Sequence, residues 1–237
     1  MITVDFSRLH LKPGARVLDA GCGPGRHLAE AFRRQGVHVV GIDRKHEDVV
    51  KAGNLLRCME KAGESGKGSW GISVADLTQL PFANHSFDLV ICSEVLEHIP
   101  DDSHAIKEII RVLKPGEDVV VSVPRFFPEK ICWLISKDYR NEPGGHIRIY
   151  KRKALISQLE QAGLSCVSTG WAHALHSPYW WLKCFCGLKN EEAWPVRMYH
   201  KFLVWDIVKR PWLTRILERL FNPVLAKSCV IYLTKEG

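Results

Sequence analysis

Residues 17–25 read Val-Leu-Asp-Ala-Gly-Cys-Gly-Pro-Gly, a short apolar run that ends in an acid and passes at once into three glycines spaced by one residue. Such a run is a buried strand. Gly21, Gly23 and Gly25 let the backbone turn sharply and approach a ligand closely before a helix begins. Strand, glycine turn and helix make the opening unit of a doubly wound α/β sheet. Loops that hold a pyrophosphate read G-x-G-x-x-G and aim helix-terminal N–H groups at it. Here the third glycine of that pattern is Arg26, and the Asp19 carboxylate would repel a pyrophosphate. It would attract an ammonium or a sulfonium, which points to S-adenosylmethionine (SAM) rather than NAD. Cys22 fills a loop position that wants a small residue and is read as part of the loop, not as a nucleophile.

Three further motifs follow in order. Val-His-Val-Val-Gly-Ile-Asp at 37–43 is a second buried strand ending in an acid, 22 positions after Gly21. In dinucleotide folds an acid at about 20 residues binds the ribose hydroxyls, although an Asp before a helix is also a common N-cap. Val-Ala-Asp-Leu at 74–77 precedes Phe87-Asp88-Leu89-Val90, where Asp88 heads a strand and caps or orients rather than binds. Ser93-Glu94-Val95-Leu96-Glu97-His98 comes next. On a helical turn Glu94, Glu97 and His98 would share a face.

With these motifs the chain resembles the class I SAM-dependent methyltransferases, of the broad type 11 group that includes ubiquinone-pathway enzymes, over roughly residues 11–171 and 227–235. The resemblance implies a cofactor site made of Asp19, Gly21, Cys22, Gly23 and Gly25, with Asp43 and Arg44 at the ribose. Asp76 would accept from the adenine amino group, with Leu77 as an apolar wall and Ser93 and Glu94 at the methyl-transfer pocket. Methyl transfer to oxygen or nitrogen needs a base near neutral pH, and His98 is the first candidate, His146 the second. His173 and His176 would face the same region if the chain folds over the strand ends. Glu-x-x-Glu-His clusters hold Mg²⁺ in some members of the group. Mg²⁺ would suit Glu94, Glu97 and His98, with His146 as an extra ligand, but no residue is assigned to a metal.

The coarse order alternates strands (16–20, 37–42, 70–75, 87–92, 118–123, 164–171, 228–234) with helices (26–35, 46–62, 101–113, 151–162), and Lys114-Pro115-Gly116 stops the third helix. By resemblance the last strand inserts antiparallel beside the sixth. The fold expected is α/β: a Rossmann-like, seven-stranded, mostly parallel sheet with helices on both faces. One domain spans 1–237, with a core of 11–124, 146–171 and 227–235 and cap insertions at 125–145 and 172–226. The second insertion is too long to lack structure, so it should be helical, with Pro195 and Pro211 in first turns. The chain begins almost at the first strand, so these insertions, rather than N-terminal helices, are expected to form the lid.

That cap holds ten aromatic residues interleaved with cations: Tyr179, Trp180, Trp181, Phe185, Trp194, Tyr199, Phe202, Trp205, Trp212 and Phe221. Indole rings beside Lys and Arg suit an amphiphilic ligand or peripheral contact with a membrane. Packing of the cap's own core, or a homodimer seam, is the alternative. The net charge of +7 fits anionic partners, but no dense basic block favours nucleic acid. No secretion signal or apolar run of transmembrane length is apparent, and eight scattered cysteines read as thiols of a reducing cytoplasm. The expected function is SAM-dependent methylation, at oxygen, of a lipid-, quinone- or glycoside-like small molecule. The alternatives are a metal-assisted RNA-end methyltransferase and a non-catalytic SAM-binding protein.

Overall fold

The computed structural model describes residues 2–190 and 192–236. Seven strands form one sheet: β1 (Arg16–Ala20), β2 (His38–Asp43), β3 (Trp70–Val74), β4 (Phe87–Ser93), β5 (Leu113–Pro124), β6 (Leu164–Ala172) and β7 (Ser228–Lys235). Their spatial order is β3-β2-β1-β4-β5-β7-β6. Every pair is parallel except those of β7, which runs antiparallel to both β5 and β6. The helices are α1 (Arg26–Phe32), α2 (His46–Lys61), α3 (Asp102–Val112), α4 (Phe126–Ile135), α5 (Lys137–Arg140), α6 (Arg152–Gln161), α7 (Ser177–Cys186), α8 (Trp194–Lys209) and α9 (Trp212–Leu225).

A central parallel strand is covered on both faces, so its apolar residues fill consecutive rather than alternate positions. β1 obeys this: Leu18 and Ala20 join Phe87, Leu96 and Ile106 on one side, while Val17 joins Leu28, Phe32 and Leu56 on the other. The Asp88 carboxylate accepts the Arg16 N–H at 2.8 Å and pairs with Lys114 at 2.5 Å, which ties the start of β4 to its two neighbours. Asp101 caps α3 by accepting from the His104 N–H at 2.9 Å.

The elements differ from the expected spans where backbone geometry overrides pattern. α1 stops at Phe32, and the chain turns through Gly36 at φ +68°. Lys114-Pro115-Gly116 does not lie between α3 and the next strand but inside β5, as a bulge. Phe87 faces Leu113 and Leu89 already faces Asp118. Pro211 is the N-cap of α9 rather than a first-turn residue, whereas Pro195 does lie in the first turn of α8. Residues ahead of 11 also enter the core: Val4, Phe6 and Leu9 pack in the same cluster as α1, and the Thr3 N–H donates to His27 Nε2 at 3.1 Å.

Within 172–226 the chain forms α7, α8 and α9, and its ten aromatic residues divide evenly. Tyr179, Trp180, Trp181, Tyr199 and Phe202 are half-buried, and all but Trp181 are linked by ring contacts, for example Tyr199 with Phe202 at 5.6 Å. Trp181 Nε1 donates to the Pro128 carbonyl at 3.1 Å, joining α7 to α4. Phe185, Trp194, Trp205, Trp212 and Phe221 are exposed.

Candidate active site

The sheet order reverses between β1 and β4, and at such a switch point the loops leaving the strand ends part to form a crevice. A cavity of about 850 Å³ lies there. Its floor is the glycine loop. Gly21, Gly23 and Gly25 have φ of +83°, +51° and +89°, a region that side chains disfavour, and a Cβ on Gly25 would come within 2.9 Å of the Ala52 Cβ.

Beneath that loop Asp19 is buried, and neither of its oxygens has a hydrogen-bond partner. Burial raises its pKa to about 7, an effect that the Arg26 guanidinium offsets only in part. A carboxylate kept dry and unpartnered is a strong request for a cation. That observation, with the tight glycine turn, fits the ammonium-bearing end of SAM. Asp43 lines the cavity and takes the Gly23 N–H on one oxygen and the Lys45 N–H on the other, both at 2.9 Å. It thereby fixes the loop and the start of α2 while its remaining lone pairs stay open to a ribose.

The other residues singled out from the sequence divide by position. Gly21, Cys22, Gly23, Asp43, Arg44, Leu77, Ser93, Glu94 and His98 line the cavity, whereas Asp19 lies behind the lining. Asp76 does not. Its carboxylate forms a local turn with the Thr78 N–H (2.8 Å) and hydroxyl (2.7 Å) and sits 3.7 Å from Arg44, while Ala75 and Leu77 on either side face the cavity. Gly25 supports the loop from behind, and burial pushes the Cys22 thiol well up, so it stays a neutral packing group. His173 and His176 lie elsewhere. His173 meets the Thr3 hydroxyl at 3.2 Å, and His176 is buried with its pKa lowered to about 3 by burial.

The wall opposite the glycine loop holds the groups capable of proton transfer. Glu94 stands in left-handed backbone at φ +58°, and its carboxylate accepts from the Ser122 hydroxyl at 3.0 Å. The Ser93 hydroxyl lies 2.8 Å from that of Ser122. Because the Ser122 proton is committed to Glu94, Ser93 is the donor between them. The segment after α5 is stitched across this wall. The Ile147 N–H donates to the Glu97 carbonyl at 3.0 Å, Arg148 to the Pro100 carbonyl at 2.6 Å and the Tyr150 hydroxyl to the Asp102 carboxylate. Gly144, Gly145 and Ile147 thereby close one side of the cavity.

This stitching fixes the tautomer of His98. Its Nδ1 lies 3.0 Å from the Gly145 carbonyl, which can only accept, so Nδ1 carries the hydrogen and Nε2 keeps its lone pair. Burial lowers the His98 pKa, so the ring is neutral at neutral pH. His146 stacks edge-on at 4.9 Å, and its Nδ1 lies 2.6 Å from Glu129. Burial would raise the Glu129 pKa, but the hydrogen bond to His146 holds it below the usual range, so Glu129 is the acceptor and His146 Nε2 is also free. His146 is not among the cavity residues; it stands behind His98.

Glu97 is wholly buried with both oxygens unpartnered, and burial together with Glu94 raises its pKa well above the usual value. Ligand atoms of Glu97, His98 and His146 lie within 4.8 Å of one another, a group from which Glu94 is absent. Glu129 is the site residue that sequence reasoning missed. Its one trace is an acid in a helix that is otherwise apolar but for the Lys130 that follows it.

Residues 3–169 match a family model described as a methyltransferase domain. The chain is 38% identical over 128 residues to a ubiquinone biosynthesis O-methyltransferase of Hahella chejuensis, covering 52% of this chain and 49% of that protein. It is 34% identical over 142 residues to cycloartenol-C-24-methyltransferase 1 of Oryza sativa subsp. japonica, covering 60% and 37%. The chain thus spans less than half the length of these relatives. Among solved structures, a phosphoethanolamine N-methyltransferase of Haemonchus contortus in complex with SAM superposes with a TM-score of 0.64 at 19% identity, over 98% of this chain and 51% of that one. The family match over most of the chain and the seven-stranded sheet agree: the chain belongs to the methyltransferase-domain family, with the Rossmann-like fold of that family.

Proposed function

We propose that this enzyme methylates an oxygen of an apolar or amphiphilic small molecule, with His98 as the general base. The single observation carrying this reading is the His98 ring: neutral, tautomerically fixed, and lining the cavity together with Val95, Ile99 and Ile147, its Nε2 3.9 Å from the Glu97 carboxylate. That wall is apolar, and a hydroxyl-bearing lipid or quinone would meet it with little loss of hydration. The names of the ubiquinone and cycloartenol relatives fit an acceptor of this class.

SAM, when bound, supplies an electrophilic methyl group. The chain's own task is then placement and proton removal. Asp19 and Asp43 hold the donor, the Gly144–Ile147 wall orients the acceptor, and the hydroxyl proton passes to His98 Nε2 as the oxygen takes the methyl. His146, held by Glu129, orients the His98 ring from behind. His98→Ala should cut turnover by about 10² or more while leaving S-adenosylhomocysteine (SAH) binding intact; unchanged turnover on an identified acceptor would remove the base from the scheme.

The convergence of Glu97, His98 and His146 favours a second reading, in which these residues hold a divalent cation. The orphaned Glu97 carboxylate fits such an ion, and Glu129 would serve as the outer partner of His146. Two imidazoles and one carboxylate suit a borderline transition metal better than Mg²⁺. Such an ion would acidify an acceptor hydroxyl. Dialysis against EDTA distinguishes the readings: activity lost and restored by a metal supports the second, unaffected activity the first.

Among the described residues no helix is long and apolar enough to cross a membrane. All eight cysteines are free, as a reducing compartment would keep them, and we place the enzyme in the cytoplasm.

A further inference from the structure

The last cap helix is mounted inside out. α9 is more amphipathic than any other helix of ten residues or more, yet its polar face is the one turned into the protein. Glu218 accepts the His173 N–H at 3.1 Å, and Asn222 Oδ1 accepts the Ala174 N–H at 3.1 Å. Arg125 donates to the Asn222 and Pro223 carbonyls at 3.0 and 2.7 Å, and Arg215 pairs with Glu218 at 3.0 Å and with Asp206 of α8. These bonds fix the roll of the helix. Turning it over to bury its apolar side would break all of them.

The outward face is a continuous ridge. Trp212 (73% exposed), Leu213, Ile216, Leu220 (66%) and Val224 (62%) are all solvent-facing. At 3.6 residues per turn they fall within an arc of about 120° along a helix about 21 Å long. Lys209 and Arg210 precede the ridge and Arg219 flanks it; all three are exposed and unpaired among the described residues. The only acids between residues 193 and 226 are Asp206 and Glu218, against six cations, and both are turned inward.

We propose that α9 seats the enzyme on an anionic lipid bilayer, lying in the interface plane with the ridge in the acyl boundary and the three cations at the headgroups. The charge pattern selects this occupant. A second copy meeting the ridge about a two-fold axis would set cations against cations with no exposed acid to receive them. Trp180 and Trp181 are the obvious membrane candidates in the sequence, but they serve packing: Trp181 donates to Pro128, and Lys227 lies over the Trp180 ring at 4.6 Å. The docking surface stands whether or not the acceptor is a lipid.

Flotation of the purified protein with phosphatidylcholine vesicles and with mixed phosphatidylcholine–phosphatidylglycerol vesicles tests it. Binding is expected to the anionic vesicles and to fall with salt. Ile216→Glu with Leu220→Glu should reduce the bound fraction by about tenfold or more, and Lys209→Glu with Arg219→Glu should reduce it as well. An SAH-induced rise in Tm retained by each variant shows that fold and cofactor site survive, so a docking failure is separable from a failure of the methyltransferase reading. Absence of wild-type binding to anionic vesicles overturns the proposal. So does conversion of a dimer to a monomer by the ridge variant in light scattering, which would make the ridge a contact between copies.

Discussion

The buried Asp19 makes a quantitative prediction about cofactor binding. In the free protein its carboxyl titrates near pH 7, because burial disfavours the charged form. A bound ammonium would compensate the anion, so binding below pH 7 has to expel the proton. At pH 5, two units under the free value, that costs about 2.7 kcal/mol, and the Kd for SAH should be about 100-fold weaker than at pH 8. At pH 6 the loss should be about tenfold, and above pH 7.5 affinity should level off. Isothermal titration of SAH across pH 5–8, in two buffers of different ionisation heat, reads both the affinity and about one proton released per ligand at the acid end. Asp19→Asn should abolish the dependence and bind weakly throughout. An affinity flat in pH, or a slope that survives Asp19→Asn, would refute the electrostatic role given to this residue. Stability is the poorer readout. The raised Asp19 pKa favours folding below about 3.8 and loses that contribution as pH rises through 7, while the depressed histidines pull the other way.

Three further outcomes are expected. Asp43→Ala should weaken SAH binding by about 1.5–3 kcal/mol, since it removes the proposed ribose acceptor and frees the N–H groups of Gly23 and Lys45; calorimetry reads the loss. His27 and His176 are buried neutral with pKa values near 3, so folding stability should fall as pH drops from 6.5 towards 3, and urea midpoints for His27→Gln should show a shallower decline. Gly25→Ala should lower stability by about 1–3 kcal/mol, because the new Cβ meets Ala52 and the residue holds φ +89°; a Tm equal to wild type would count against the loop geometry.

The sheet is legible in the sequence because its central parallel strands are short, mostly apolar runs that end where an acid or a turn begins. The glycine loop is legible for the same local reason. The wall around His98 is less so. The His98 tautomer depends on the carbonyl of Gly145, and His146 on Glu129, both contacts made across the fold by a segment with no motif. His173 and His176 show the reverse error. Their sequence places them near the strand ends, but a left-handed turn at His173, φ +70°, sends them under α9 towards Thr3. The buried N-terminal residues carried no periodicity by which to be recognised, since Val4, Phe6 and Leu9 surround a single 3₁₀ turn.

The central claim is methyl transfer from SAM to an amphiphilic acceptor at the His98 wall. Incubation of the enzyme with methyl-labelled SAM and separated lipid and aqueous cell extracts tests it most directly. The account predicts label entering a small molecule of the lipid extract, lost on His98→Ala and on Asp43→Ala. Label confined to RNA or to protein, or no incorporation by an enzyme that binds SAH, would contradict it.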